Sequence, residues 1–160
     1  MRDMIKVRDW RAFVIAALVL VGLASAGANH GFAHKGASGI VKERMDAMKS
    51  LKGDMKAISD MFRGRTAYKN DEVKWRADRI KAHGRDFERL FPSGSTDGPS
   101  EASPRIWSEW SRFMQQTGDM TAAARGLMNA ARNKTAARKA FGELGQTCRT
   151  CHDDYRLEKP

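Results

Sequence analysis

Apolar residues recur along this chain at helical spacing, in stretches separated by glycine, proline and small polar residues. In the first stretch, about Ile40 to Phe62, Val41, Met48, Met55 and Phe62 stand seven apart, with Met45, Leu51 or Lys52, and Ile58 or Ser59 between them. That is the seam of a bundle helix, and Gly64 is expected to end it. The second opens at Asn70, expected as its N-cap, with Asp71 and Glu72 in the first turn where carboxylates suit the helix dipole. Val73, Ile80 and Phe87 carry its stripe, Ala77, Leu90 and Phe91 fill it, and Pro92 follows. The stretch Pro92 to Pro104 is rich in Pro, Gly, Ser and Thr and reads as the longest loop. A third helix is expected with Ser103 as cap and Pro104 at its first position, its inner side marked by Trp107, Trp110, Met114, Thr117, Met120, Ala124, Leu127 and Ala131. The fourth runs from about Thr135 to Arg156, where Phe141, Leu144, Cys148, Cys151 and Tyr155 share one face. Without any run of strand-type alternation, the pattern predicts an all-α, antiparallel four-helix bundle.

The start of the chain carries a different pattern. Arg2, Lys6, Arg8 and Arg11 precede an uncharged apolar run from Ala12 to Ala24, and Ala24-Ser25-Ala26 follows as a small-x-small cleavage site. This is the anatomy of a secretory signal, and the run is short for a bilayer span, which needs roughly 20 residues. Residues 1–26 are therefore expected as a signal peptide, 27–38 as a flexible segment holding Gly27, Gly31, Gly36, His30 and His34, and 39–160 as the folded domain. Cleavage after Ala28 or Ala33 would also fit. Loss of four basic and two acidic residues with the signal takes the formal net charge from +10 to +8. A charge of that size steers acidic partners, and no helix-turn-helix or aromatic RNA-binding pattern accompanies it, so nucleic acid is not expected.

The only two cysteines lie three apart. A disulfide closing so short a loop removes little unfolded-state entropy. The segment Cys148-Arg149-Thr150-Cys151-His152 is instead C-x-x-C-H, the attachment signal for c-type haem. Two thiols one helical turn apart can add to the two vinyl groups on one edge of the macrocycle, and the adjacent imidazole can coordinate the iron. A redox dithiol would normally open a helix beside a strand pattern, and a zinc site would need a fourth ligand. Both readings remain beside the haem reading at this stage.

A C-terminal C-x-x-C-H on the last helix of a four-helix bundle resembles the class II cytochromes c, namely cytochrome c′ and its low-spin relatives called cytochrome c-556. Cys148-Arg149-Thr150-Cys151-His152-Asp153-Asp154-Tyr155-Arg156 resembles the family's C-x-x-C-H-x-x-Tyr-Arg ending, and Pro104-Arg105-Ile106-Trp107 and Arg44-Met45-Asp46-Ala47-Met48 are similar to further family segments. The resemblance implies one covalent haem c on Cys148 and Cys151, with His152 as the proximal iron ligand. It implies Arg156, Tyr155 and Arg44 in the haem surroundings and Met48, four residues after Arg44, over the distal face. Leu51, Met55 and Phe87 would wall the pocket, although their positions are equally those of core residues. Methionine is a common core filler, and some high-spin relatives keep one at this position unbonded to iron, so Met48 as sixth ligand stays an expectation. His83 is expected to be partly exposed rather than a ligand, and Trp107 and Trp110 to be packing anchors.

The functional expectation is a periplasmic one-electron carrier with His/Met ligation, not an enzyme, serving acidic redox partners. The other reading is a high-spin cytochrome c′ that binds nitric oxide or carbon monoxide. No stable membrane insertion is expected after signal cleavage. Homodimers are frequent in the family, but no second apolar stripe is evident here.

Overall fold

A computed structural model describes residues 37–96 and 98–158. The expected signal segment and nearly all of the expected flexible segment, with His30 and His34, lie outside the described residues. Among the described residues four long helices are present: α1 (Gly39–Phe62), α2 (Asn70–Leu90), α4 (Trp110–Ala130) and α5 (Lys134–Tyr155), with a single turn, α3 (Arg105–Ser108), before α4. They form an antiparallel four-helix bundle. At one end Phe62 meets Phe141 at 5.4 Å between ring centroids, and the Tyr68 hydroxyl donates to the Ala131 carbonyl at 2.5 Å. At the other end Arg44 of α1 bonds the last carbonyl of α2, and Ser103 N donates to the Tyr155 carbonyl at 2.9 Å.

The expected elements form, with four local differences. Asn70 is the first residue of α2 rather than its cap; Lys69 precedes it and no side chain caps the helix. Conversely, Asn133 caps α5, its side chain accepting from Ala136 N at 3.0 Å. The expected third helix is interrupted at Glu109, which leaves helical geometry (φ −117°, ψ 34°) while Glu109 N and Phe113 N keep their bonds to Arg105 O and Glu109 O. The Glu109 carboxylate is held there by Arg105 at 3.0 Å and by the Tyr155 hydroxyl at 3.2 Å. Pro104 rather than Ser103 precedes α3 as its cap residue, so it lies before the helix and not at its first position; Ser103 Oγ still accepts from Arg105 N at 3.3 Å. Gly64, at φ +75°, turns the chain after α1, a conformation that costs a side-chain-bearing residue more.

The core is a continuous layer of Ile58, Val73, Ile80, Ile106, Phe113, Leu127 and Leu144, each essentially inaccessible. Burying a side chain of this size contributes about 1.5–3 kcal/mol. Gly84 lets α2 and α4 approach closely: a Cβ there would lie 2.1 Å from the Thr121 hydroxyl. Two charged residues of α1 are also buried, Arg44 and Asp54. Asp54 accepts from Arg76 and Arg79 of α2, each at 3.0 Å. Around the ring of long helices α2 packs along α4, α4 along α5 and α1 along α2, whereas α1 and α5 approach each other least.

Candidate functional site

The weak α1–α5 contact positions the chemistry. Toward one end the two helices touch through Phe62 and Phe141, and the Arg138 guanidinium donates to the Phe62 carbonyl. Further along, Gly145 presents no side chain; a Cβ there would be in ordinary contact with the Met55 methyl (3.9 Å) and the Arg149 guanidinium (3.7 Å). Beyond that point α1 offers Leu51 and Met48, and α5 offers Cys148, Cys151 and His152. Met48, Leu51, Met55, Phe141, Cys148 and Cys151 are all only half-buried. Apolar side chains on two facing helices, packed on the core yet not closed over by each other, make a slot with an apolar lining.

Both thiols are free. Burial pushes both upward, Cys151 to about 11 with help from neighbouring Cys148 and Asp154. Protonated, half-buried thiols are the reverse of the depressed, electropositive thiol of a redox dithiol. His152 is exposed near the end of α5, yet partial desolvation lowers it from its ordinary value, and Arg156 adds to the effect against Asp153 and Glu101. A neutral imidazole is the form that ligates a metal. Two adjacent thiols, a neutral imidazole and a slot floored by a glycine fit a planar macrocycle held by thioether bonds.

The remaining expected site residues stand as follows. Tyr155 is buried and meets Phe113 edge-on at 5.4 Å, a core position at the end of α5. Phe87 lies with Phe91 and Phe113 in an aromatic cluster, a core position. Arg156 pairs with Glu101 at 2.7 Å, one turn past His152. Arg44, one turn before Met48, gives its whole guanidinium to backbone and hydroxyl groups of α2 and the following loop. His83 is half-buried on α2, 3.3 Å from Ser50, as its sequence position suggested. Trp107 is half-buried and its indole donates to the Phe91 and Pro92 carbonyls. Glu101, Ser95 and Ser100 were not marked by any sequence signal; short polar residues in a loop carry none until their partners are known.

The family described as Cytochrome C' matches residues 39–156. The chain belongs to that family. This cytochrome is 32% identical over 146 residues to cytochrome c-556 of Agrobacterium fabrum, covering 91% of this chain and 95% of the relative. Its fold is similar to cytochrome c′ from Rhodopseudomonas palustris, with a TM-score of 0.72 at 23% identity, covering 78% of this chain and all of that one. It is also similar, with a TM-score of 0.68 at 27% identity over 75% of this chain and 94% of the other, to the nitric oxide complex of a cytochrome c′ mutant from Alcaligenes xylosoxidans. The cofactor of the cytochrome is one covalent haem c, and the C-x-x-C-H residues on α5 are the ones that fit it. Among the described residues no helix is long and apolar enough to cross a membrane.

Proposed function

We propose that this cytochrome is a periplasmic one-electron carrier with His152 and Met48 as axial ligands. Haem supplies the one-electron chemistry. Cys148 and Cys151 hold it covalently, His152 gives the proximal nitrogen, and the apolar slot limits water around it. The observation that carries the reading is Met48: half-buried on α1, two turns before Met55, whose methyl lies beside Gly145 of α5. A thioether opposite an imidazole gives low-spin iron and a raised potential, the ligation suited to electron transfer. Neither a nucleophile–base pair nor a substrate site is part of this reading, so the protein is not proposed as an enzyme. Arg156, Tyr155 and Arg44 support the haem surroundings through the contacts they make rather than as ligands. Removal of residues 1–26 would deliver the domain to the periplasm, and N-terminal sequencing should find a mature start between Gly27 and His34.

The partner in this reading is an acidic redox protein docking where the haem edge meets solvent. Lys49 and Lys52 on α1 and Arg149 on α5 are exposed beside the slot, and none has a carboxylate partner among the described residues. A homodimer is a further possibility in the family; sedimentation at several protein concentrations tests it.

The second reading is a five-coordinate haem that takes up nitric oxide or carbon monoxide. It is favoured by the likeness to the nitric oxide complex from Alcaligenes xylosoxidans, and the half-open slot would admit such a ligand. The ferric and ferrous visible spectra separate the two. The carrier reading expects a low-spin ferric form with a thioether-to-iron band and a reduced form that resists carbon monoxide. Met48→Ala should then abolish the band and let the gas bind. A wild type that is already high spin and binds nitric oxide at once defeats the carrier reading.

A further inference from the structure

At the end of the bundle where α1 and α5 are least in contact, the loop between Phe91 and Pro104 touches both. On the α1 side, Arg44 donates through Nε to the Leu90 carbonyl (3.1 Å), through Nη1 to the Ser95 carbonyl and the Ser100 Oγ (3.1 Å each), and through Nη2 to the Ser95 Oγ (2.5 Å). Its guanidinium also lies 4.2 Å over the Phe91 ring. On the α5 side, the next residues run antiparallel to the end of that helix. Ala102 bridges Arg156, Ser103 N donates to the Tyr155 carbonyl (2.9 Å) and Leu157 N to the Glu101 carbonyl (2.8 Å). The Glu101 carboxylate accepts from Arg156 at 2.7 Å. Ser100 Oγ links the two halves, accepting from Arg44 and, at 3.2 Å, from Ala102 N. The register is telling: Arg44 is one turn before Met48, and Arg156 is one turn after His152, whose carbonyl accepts from Arg156 N at 3.0 Å.

We propose that this loop is a strap that fixes the separation of α1 and α5 at the haem, with Arg44, Ser100 and Glu101 as positioning residues for the sixth coordination position. The strap supplies, through side chains and a short backbone ladder, the α1–α5 tie that direct helix packing does not. A fork of donors spread over several acceptors fixes a helix better than a single bond, because every donor must be satisfied at once. Small changes in the spacing decide whether a thioether reaches the iron, so ligation depends on a loop that touches neither ligand. The proposal rests on the reading of Met48 as the axial residue.

The test uses the haem-loaded protein and the variants Ser100→Ala and Glu101→Gln, with Arg44→Lys as the harsher change. Three quantities are read: amide hydrogen exchange at Ser103 and Leu157, the high-spin fraction of the ferric spectrum, and the carbon monoxide association rate of the reduced protein. Exchange at those amides should speed by about tenfold or more, the scale set by losing one charge-assisted hydrogen bond. The high-spin fraction and the gas rate should rise with it, most when Ser100→Ala and Glu101→Gln are combined. Faster exchange with unchanged spectrum and gas rate overturns the strap, and so does unchanged exchange. If the wild type is already high spin, the carrier reading fails by itself. The strap is then judged on the gas rate, which must still rise in the variants.

Discussion

Cys148 and Cys151 stand one turn apart on α5, both half-buried at the slot. Their joint replacement by alanine should remove peroxidase-type haem stain from a denaturing gel of protein made with a haem-attachment system, while the wild-type band keeps it. Gly84 makes a second residue-scale statement. A methyl group there would collide with the Thr121 hydroxyl, so Gly84→Ala should cost about 1–3 kcal/mol by overpacking, read as a lower melting temperature. Thr121→Ala in the same chain should recover most of the loss. Cys148, Cys151 and His152 stand out in the sequence as the proposed haem anchors because their spacing is itself the chemistry. Arg44 as a buried residue does not. A pattern of apolar letters assigns an arginine to solvent, and only the acceptors contributed by Leu90, Ser95 and Ser100, far along the chain, make its burial affordable. Asp54 is the same case, its carboxylate buried only because Arg76 and Arg79 reach it from α2.

Helices α1, α2, α4 and α5 follow from periodicity because each buries one stripe, and their bounds lie within a few residues of the expected ones except at the start of α4, which follows the break at Glu109. Their ends were less legible. Asn70 and Asn133 are the same residue type before comparable helices, yet only Asn133 has its side chain turned onto the backbone. Asn133→Ala should therefore cost about 1 kcal/mol of stability in urea unfolding, and Asn70→Ala should change little. Equal losses would remove the distinction. The break at Glu109 had no sequence mark, having neither Gly nor Pro. Its cause is tertiary: Tyr155, arriving from α5, and Arg105 both bond the Glu109 carboxylate.

Across the whole molecule the basic excess should be visible in kinetics. Oxidation of the reduced cytochrome by ferricyanide, an anionic probe, should slow as salt rises, because exposed charges are screened beyond about 10 Å at 0.1 M. Lys49→Glu with Lys52→Glu should flatten that dependence more than Lys74→Glu with Arg125→Glu on the α2–α4 side. A rate indifferent to salt would mean that the charge does not guide docking. The bundle architecture was readable from the sequence. The unequal closure of the ring was not, since stripes predict that helices pack but not how closely each pair does so. The thin α1–α5 contact also has a thermodynamic meaning. In the proposed arrangement the haem would be the missing partner surface of that pair, and it is joined to the chain by covalent bonds. Unfolding therefore does not release it, and its stabilisation carries no mass-action term. The midpoint of thermal unfolding should be independent of added free haem. In a protein lacking both thiols, any haem held by His152 alone should raise the midpoint logarithmically with its concentration.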